Sequence, residues 1–313
     1  MKYNHVTLIV FVLTVLAAAI VRTNAQSIAP AADELYRKGV EYQQSDNNPK
    51  AIEAFQQAIT IQPDFLSAYR RLAGALAGSG RYAEAVDTLQ RLIVLAPNDA
   101  DSYTKLGTAF VYLGKQKEAI AALEEAVRLN PQDSVAYDRL ATAYRQGGRY
   151  AAKEIAALEQ ILRLHPEDLE TVVRLGEAYS HSGRFQEGLD MLRQGLRLQP
   201  NSETIYQDIA FSYTGLGQHE NALDALKKAL ELKPEQPDTY IRLGLSCLLL
   251  HRNLDAADYL EHAVKLEPKN AKAHFILGGA YSEAGLREKA LREYEILKTL
   301  NPDLATEFLR KMK

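Results

Sequence analysis

ADSYTKLGTAFVYLGKQKEAIAALEEAVRLNPQD, residues 100–133, reads as two short amphipathic helices with a turn between them. In its first half Tyr103, Leu106 and Phe110 recur at three- and four-residue spacing, which puts them on one helix face. Gly107 sits among them, where a small residue lets a second helix approach closely. Gly114 follows as a stop that tolerates left-handed backbone. Ala119 supplies the second helix with its own small contact point. Pro131, which lacks an N–H and restricts the residue before it, closes the unit.

The same pattern extends in both directions. Pro63, Pro97, Pro131, Pro166, Pro200, Pro234, Pro268 and Pro302 stand 34 residues apart, with a single interval of 35. They define eight units, 32–65, 66–99, 100–133, 134–168, 169–202, 203–236, 237–270 and 271–304. The eighth residue is small in every copy: Gly39, Ala73, Gly107, Ala141, Gly176, Ala210, Gly244 and Gly278. A second small column, Ala51, Ala85, Ala119, Gly188, Ala222, Ala256 and Ala290, is broken in the fourth unit by Glu154. The inter-helix glycine recurs at Gly80, Gly114, Gly148, Gly183, Gly217 and Gly285. Asp46 and Asn47 replace it in the first unit, and His251 departs from it in the seventh. Phe308 continues the aromatic core column into a truncated ninth unit, so 305–313 is expected to cap the open end.

Residues 1–25 read differently. Lys2 precedes an uncharged apolar run at 6–21, and Thr23-Asn24-Ala25 offers small residues before a cut at Gln26. A cleaved export signal is expected, followed by a short linker at 26–31 and a periplasmic or secreted repeat region. The alternative is an uncleaved membrane anchor with the repeats outside, membrane contact being confined to that segment.

Composition narrows the chemistry. Without residues 1–25, which hold Lys2 and Arg22 and no acid, the chain has 35 basic and 40 acidic residues, a net charge of −5. That balance argues against a nucleic-acid partner, whose phosphates would need an excess of base. Cys247 is the only cysteine, so neither a disulfide nor a cysteine metal cluster is expected. The seven histidines include no pair at metal-binding helical spacing, and His274 stands in a core aromatic column as a structural residue. No nucleophile elbow, phosphate loop or dinucleotide fingerprint occurs, so no cofactor, metal or catalytic residue is assigned.

With these columns in view, the chain resembles the tetratricopeptide repeat family over residues 32–304, although no unit has that family's tryptophan. The resemblance implies an all-α, right-handed superhelical solenoid of eight helix-turn-helix repeats, its concave groove lined by the first helix of each pair. It also implies that the second, fifth, sixth, ninth, twelfth and thirteenth residues of each repeat face the groove.

Read in those columns, the sixth position is basic at Arg37, Arg71, Lys105, Arg139, Arg174 and Arg242. Asp33, Asp101, Glu170 and Asp238 stand four residues ahead of four of these, the order that favours a helix-surface ion pair. Arg71 and Arg139 have no such partner, and with Arg70 and Arg145 nearby they form a candidate contact for an acidic partner. The seventh repeat is unusual in placing Ile241, Leu245, Leu248 and Leu249 at groove positions, with Phe211 before and Phe275 after. Either these form an exposed apolar patch that serves binding, or the leucines turn into the core.

The expectation is a non-enzymatic scaffold that takes a protein or peptide segment into the groove. The alternative is a self-assembly module whose apolar patch is a homo-oligomer contact. The asparagines with which some family members clamp a chaperone's C-terminal carboxylate are missing from the groove columns.

Overall fold

The computed structural model describes residues 30–311, and among these every regular element is an α-helix. The described residues fall into two compact units, one ending at Tyr150 and the other beginning at Ala151. The export segment expected at 1–25 lies outside the described residues.

The first unit contains α1 (30–44), α2 (Asn48–Ile61), α3 (Leu66–Gly78), α4 (Tyr82–Leu95), α5 (Ala100–Tyr112), α6 (Gln116–Leu129) and α7 (Ser134–Gln146). The second contains α8 (Ala151–Leu164), α9 (Leu169–His181), α10 (Phe185–Leu198), α11 (Glu203–Gly215), α12 (His219–Leu232), α13 (Pro237–Leu249), α14 (Asn253–Leu266), α15 (Ala271–Glu283), α16 (Arg287–Leu300) and α17 (Pro302–Lys311). Helices of one repeat pack on each other, as α5 does on α6 and α13 on α14, and the first helices α5 and α7, α9 and α11, and α13 and α15 also touch. The fourth repeat contributes α7 to one unit and α8 to the other. That repeat carries Glu154 in the small-residue column, and Glu154 is buried.

Helix starts follow from local side chains. Asp133, Asp168, Ser202 and Asn270 each accept a hydrogen bond from the backbone N–H three residues on, at 3.0 to 3.4 Å. Such caps contribute about 1 kcal/mol each. Helix ends are equally regular. After α11, Gly217 N donates to Thr214 O and Gln218 N to Tyr213 O, a Schellman closure that needs positive φ at Gly217. His251 after α13 makes the same two bonds through His251 N to Leu248 O and Arg252 N to Cys247 O, with φ of 56°. Asp46 in the first repeat also has φ of 56°. The departures at these positions therefore change the residue and not the turn.

The small columns hold the pairs together. An added Cβ at Gly176 would lie 2.7 Å from Leu192 Cγ, and one at Gly188 would lie 2.9 Å from Gly176 O. Helices α9 and α10 thus meet backbone to backbone at two glycines. In the second unit a continuous apolar core runs from Leu189 on α10 to Phe308 on α17. Helix α17 begins at Pro302, three residues before the expected cap, because proline suits a first helical turn. Its Phe308 is buried, while Asp303, Thr306 and Arg310 leave the outer side polar.

Candidate functional site

The first helices of the last two repeats and α17 together frame a cavity of about 400 Å³. Leu248 and Leu249 come from the end of α13, Phe275 and Gly279 from α15, and Phe308 and Lys311 from α17. His251, Asn253, Ser282 and Glu283 complete the lining. Phe275 and Phe308 meet edge to face at 5.9 Å, and Lys311 Nζ lies 5.1 Å from the Phe275 ring. Asn253 Nδ2 donates to the Glu283 carbonyl at 3.0 Å, tying the start of α14 to the end of α15. A Cβ at Gly279 would meet nothing within 4 Å, so the absence of a side chain there leaves open space.

The residues singled out in the sequence separate into groups. Leu248, Leu249 and Phe275 come together in the cavity, Leu249 being 54% exposed and the other two half-buried. Leu245 is 38% exposed on the same helix but does not line it. Phe211 is 41% exposed and belongs to a different cluster, edge-on to His181 at 5.3 Å and Phe185 at 6.2 Å. Ile241 corrects the expected groove set: at 3% exposure it belongs to the core of the second unit. Thr104 in the same column is also buried, while Val173, Gln207 and Phe275 are half-buried. The polar lining was missed, although Ser282 and Glu283 occupy the twelfth and thirteenth positions of the eighth repeat, where the groove columns could have flagged them.

Leu243, Gly244 and Cys247 are buried, while Tyr240 is half-buried and stacks on His262 at 5.3 Å. Burial pushes the Cys247 thiol up to about 11, with Asp255 adding to the shift, so it stays a protonated apolar group. His274 is buried between Glu293, 2.5 Å from its Nδ1, and the Pro268 carbonyl, 3.0 Å from Nε2. No cluster of three or more metal-ligating side chains occurs among the described residues.

In the first unit Arg71, Arg139 and Arg145 are all exposed. Arg139 lies 3.9 Å from Asp138, and Arg70 is held by Asp99 at 3.1 Å. Of the four ion pairs expected along the sixth column, Asp101 with Lys105 at 2.6 Å and Glu170 with Arg174 at 3.6 Å are present. Arg37 instead donates to the backbone carbonyl of Asp33 at 3.4 Å. Asp208 occupies the sixth position of the sixth repeat, where most copies are basic. Burial, with Glu177 and Glu203 adding and Arg242 opposing, pushes its carboxyl up to about 7.

Comparison with known proteins agrees with this architecture. The C-terminal part of a TPR repeat-containing protein from Cytophaga hutchinsonii superposes with a TM-score of 0.63 at 18% identity, covering 76% of this chain and 98% of its own. A tetratricopeptide repeat protein from Parabacteroides merdae gives 0.54 at 14%, with 80% and 99% covered. YrrB, described as a TPR protein with an unusual peptide-binding site, gives 0.54 at 21%, with 64% and 98% covered. At these identities the likeness concerns the fold alone. No curated protein matches the chain. Residues 212–249 and 250–305 match two tetratricopeptide repeat family models. Residues 14–210, more than half of the chain, match the family model described as the Cilia and flagella-associated protein 70 C-terminal domain, and the chain belongs to this family of tetratricopeptide repeat proteins.

Proposed function

We propose that the chain is a non-enzymatic scaffold that receives a segment of another protein against α13, α15 and α17. The observation that carries this reading is the cavity of about 400 Å³ with Leu249 54% exposed at its edge. Contiguous apolar surface open to water is costly unless something covers it, and this volume is in the range of about 300 to 1,000 Å³ typical of ligand pockets. A polar lining around an apolar floor fits one anchored segment better than a broad flat contact. The polar outer side of α17 supports an end that closes the array and does not stack on another copy. Residues 1–25 carry the accompanying proposal that the repeats work outside the membrane that this segment engages, which N-terminal sequencing of envelope or secreted material tests.

The test compares the full chain with Leu245→Glu and Leu249→Lys in capture from its own cell envelope. Both variants are expected to keep the helical circular-dichroism spectrum and to lose a captured protein, because a charge would be desolvated against an apolar partner. Variants that fold and capture the same set would place the site elsewhere. A concentration-independent dimer in light scattering, abolished by the same changes, would reassign the patch to self-association.

A further inference from the structure

We infer that the segment received by the second unit is basic as well as apolar: its Lys or Arg side chains face α9, α11 and α13 while its apolar residues enter the cavity at α13, α15 and α17. This rests on the binding reading above and adds the chemistry of the occupant. The argument is one of charge complementarity. At the groove positions of repeats 5–8, Glu170 is held by Arg174 at 3.6 Å and the two cancel. What remains is Glu177, Asp238 and Glu283 against Arg242 and Lys272, with Asp208, whose carboxyl is pushed up to about 7, adding a partial charge of the same sign, an acidic excess. Asp208 on α11 lies within electrostatic reach of Glu177 on α9 and Arg242 on α13, groove positions of three successive first helices. Glu283 carries the same sign to the cavity itself, where the lining lysine, Lys311, is paired with Glu307 at 2.7 Å.

The sign is particular to this unit. The groove positions of repeats 1–4 include Arg70, Arg71, Arg139 and Arg145, of which Arg70 is neutralised by Asp99 at 3.1 Å. An apolar floor alone would accept any amphipathic segment. Acidic groups beside it repel a segment of their own sign and accelerate the encounter with one of opposite sign.

Three steps between neighbouring first helices, at about 10 Å each, separate α15 from α9, so a helical segment of about 20 residues would span them. Two peptides of that length, with the same leucine positions and either lysine or glutamate elsewhere, are titrated by fluorescence anisotropy into the full chain at low salt. The lysine peptide is expected to bind about tenfold more tightly, as two or three exposed charge pairs would give. Asp238→Asn/Glu283→Lys, both exposed positions, is expected to remove most of that preference. Equal affinities, or a preference that survives this variant, would overturn the basic occupant. Leu249→Asp is expected to weaken both peptides. If it weakens neither, or if neither peptide binds, the cavity reading falls as well.

Discussion

The Tyr179 hydroxyl lies 2.5 Å from Glu159 Oε1 and donates to it, joining α9 to the preceding α8 across twenty residues of sequence. Tyr144 donates to Glu124 at 2.7 Å in the first unit, and Tyr281 donates to Glu261, each over the same separation. At Tyr213 the partner changes sign, and Arg193 Nη2 donates to the phenol at 3.0 Å. Each rung lets a ring packed on the core satisfy its one polar atom at the core's edge.

Tyr179→Phe is expected to lower stability by about 1.5 kcal/mol in urea unfolding at neutral pH, the low end for a hydrogen bond to a charged acceptor. Burial, followed by the Glu159 bond, pushes the Tyr179 phenol up to about 12 from its ordinary 10. The fold therefore holds the O–H form. The tyrosine's advantage over phenylalanine is full below the ordinary value and is lost as pH rises from 10 to about 12. An advantage unchanged at about pH 11 would mean that neither burial nor Glu159 favours the protonated phenol in the fold.

The small-residue column makes a second expectation. Gly176→Ala puts a methyl 2.7 Å from Leu192 Cγ and 3.2 Å from Gly188 O. A loss of about 1 to 3 kcal/mol is expected, because the backbone oxygen cannot move aside. Gly74→Ala on α3 is the contrast, since its Cβ would meet nothing within 4 Å. A gain of about 0.5 to 1 kcal/mol is expected there from helix propensity. Equal effects in thermal melts would show that close approach is not what Gly176 supplies.

His251 carries a non-glycine side chain at φ of 56° in a turn that six other repeats close with glycine. His251→Gly is expected to raise the urea midpoint by the equivalent of about 0.5 to 1 kcal/mol, relieving the left-handed strain less the extra chain entropy of glycine. A lowered midpoint would indicate that the imidazole makes contacts in the cavity that outweigh the strain.

These residues show how far the sequence could be read. The period of proline and glycine located the helices and turns because both residues act through local backbone geometry. The tyrosine rungs were invisible to it, since spacings of three and four report a shared helix face and not a hydroxyl reaching a carboxylate twenty residues back. The site was half legible for the same reason. Leu248, Leu249 and Phe275 line one cavity, but Ile241 belongs to the buried core cluster against which Phe275, Ile276 and Leu248 pack, a tertiary placement that repeat spacing does not report. Phe308 was legible as the continuation of the aromatic core column, but Lys311 entered the lining from the end of α17, where no groove column flags it.

Asp208 gives the last expectation. Burial and the nearby Glu177 push its carboxyl up to about 7 from 3.8, with Arg242 pulling the other way. The unfolded chain ionises first as pH rises, so this residue's contribution favours folding below 3.8 and is withdrawn as pH climbs through about 7. Asp208→Asn keeps the shape without the charge, and it should raise stability at neutral pH by about 1 to 2 kcal/mol after discounting for partial exposure. It should gain nothing near pH 4, where the native carboxyl is protonated. Denaturant titrations of both proteins across that range check the sign. If the asparagine variant is less stable at neutral pH, Arg242 holds the ionised carboxylate more firmly than burial opposes it, and Asp208 belongs with the ion pairs of the sixth column.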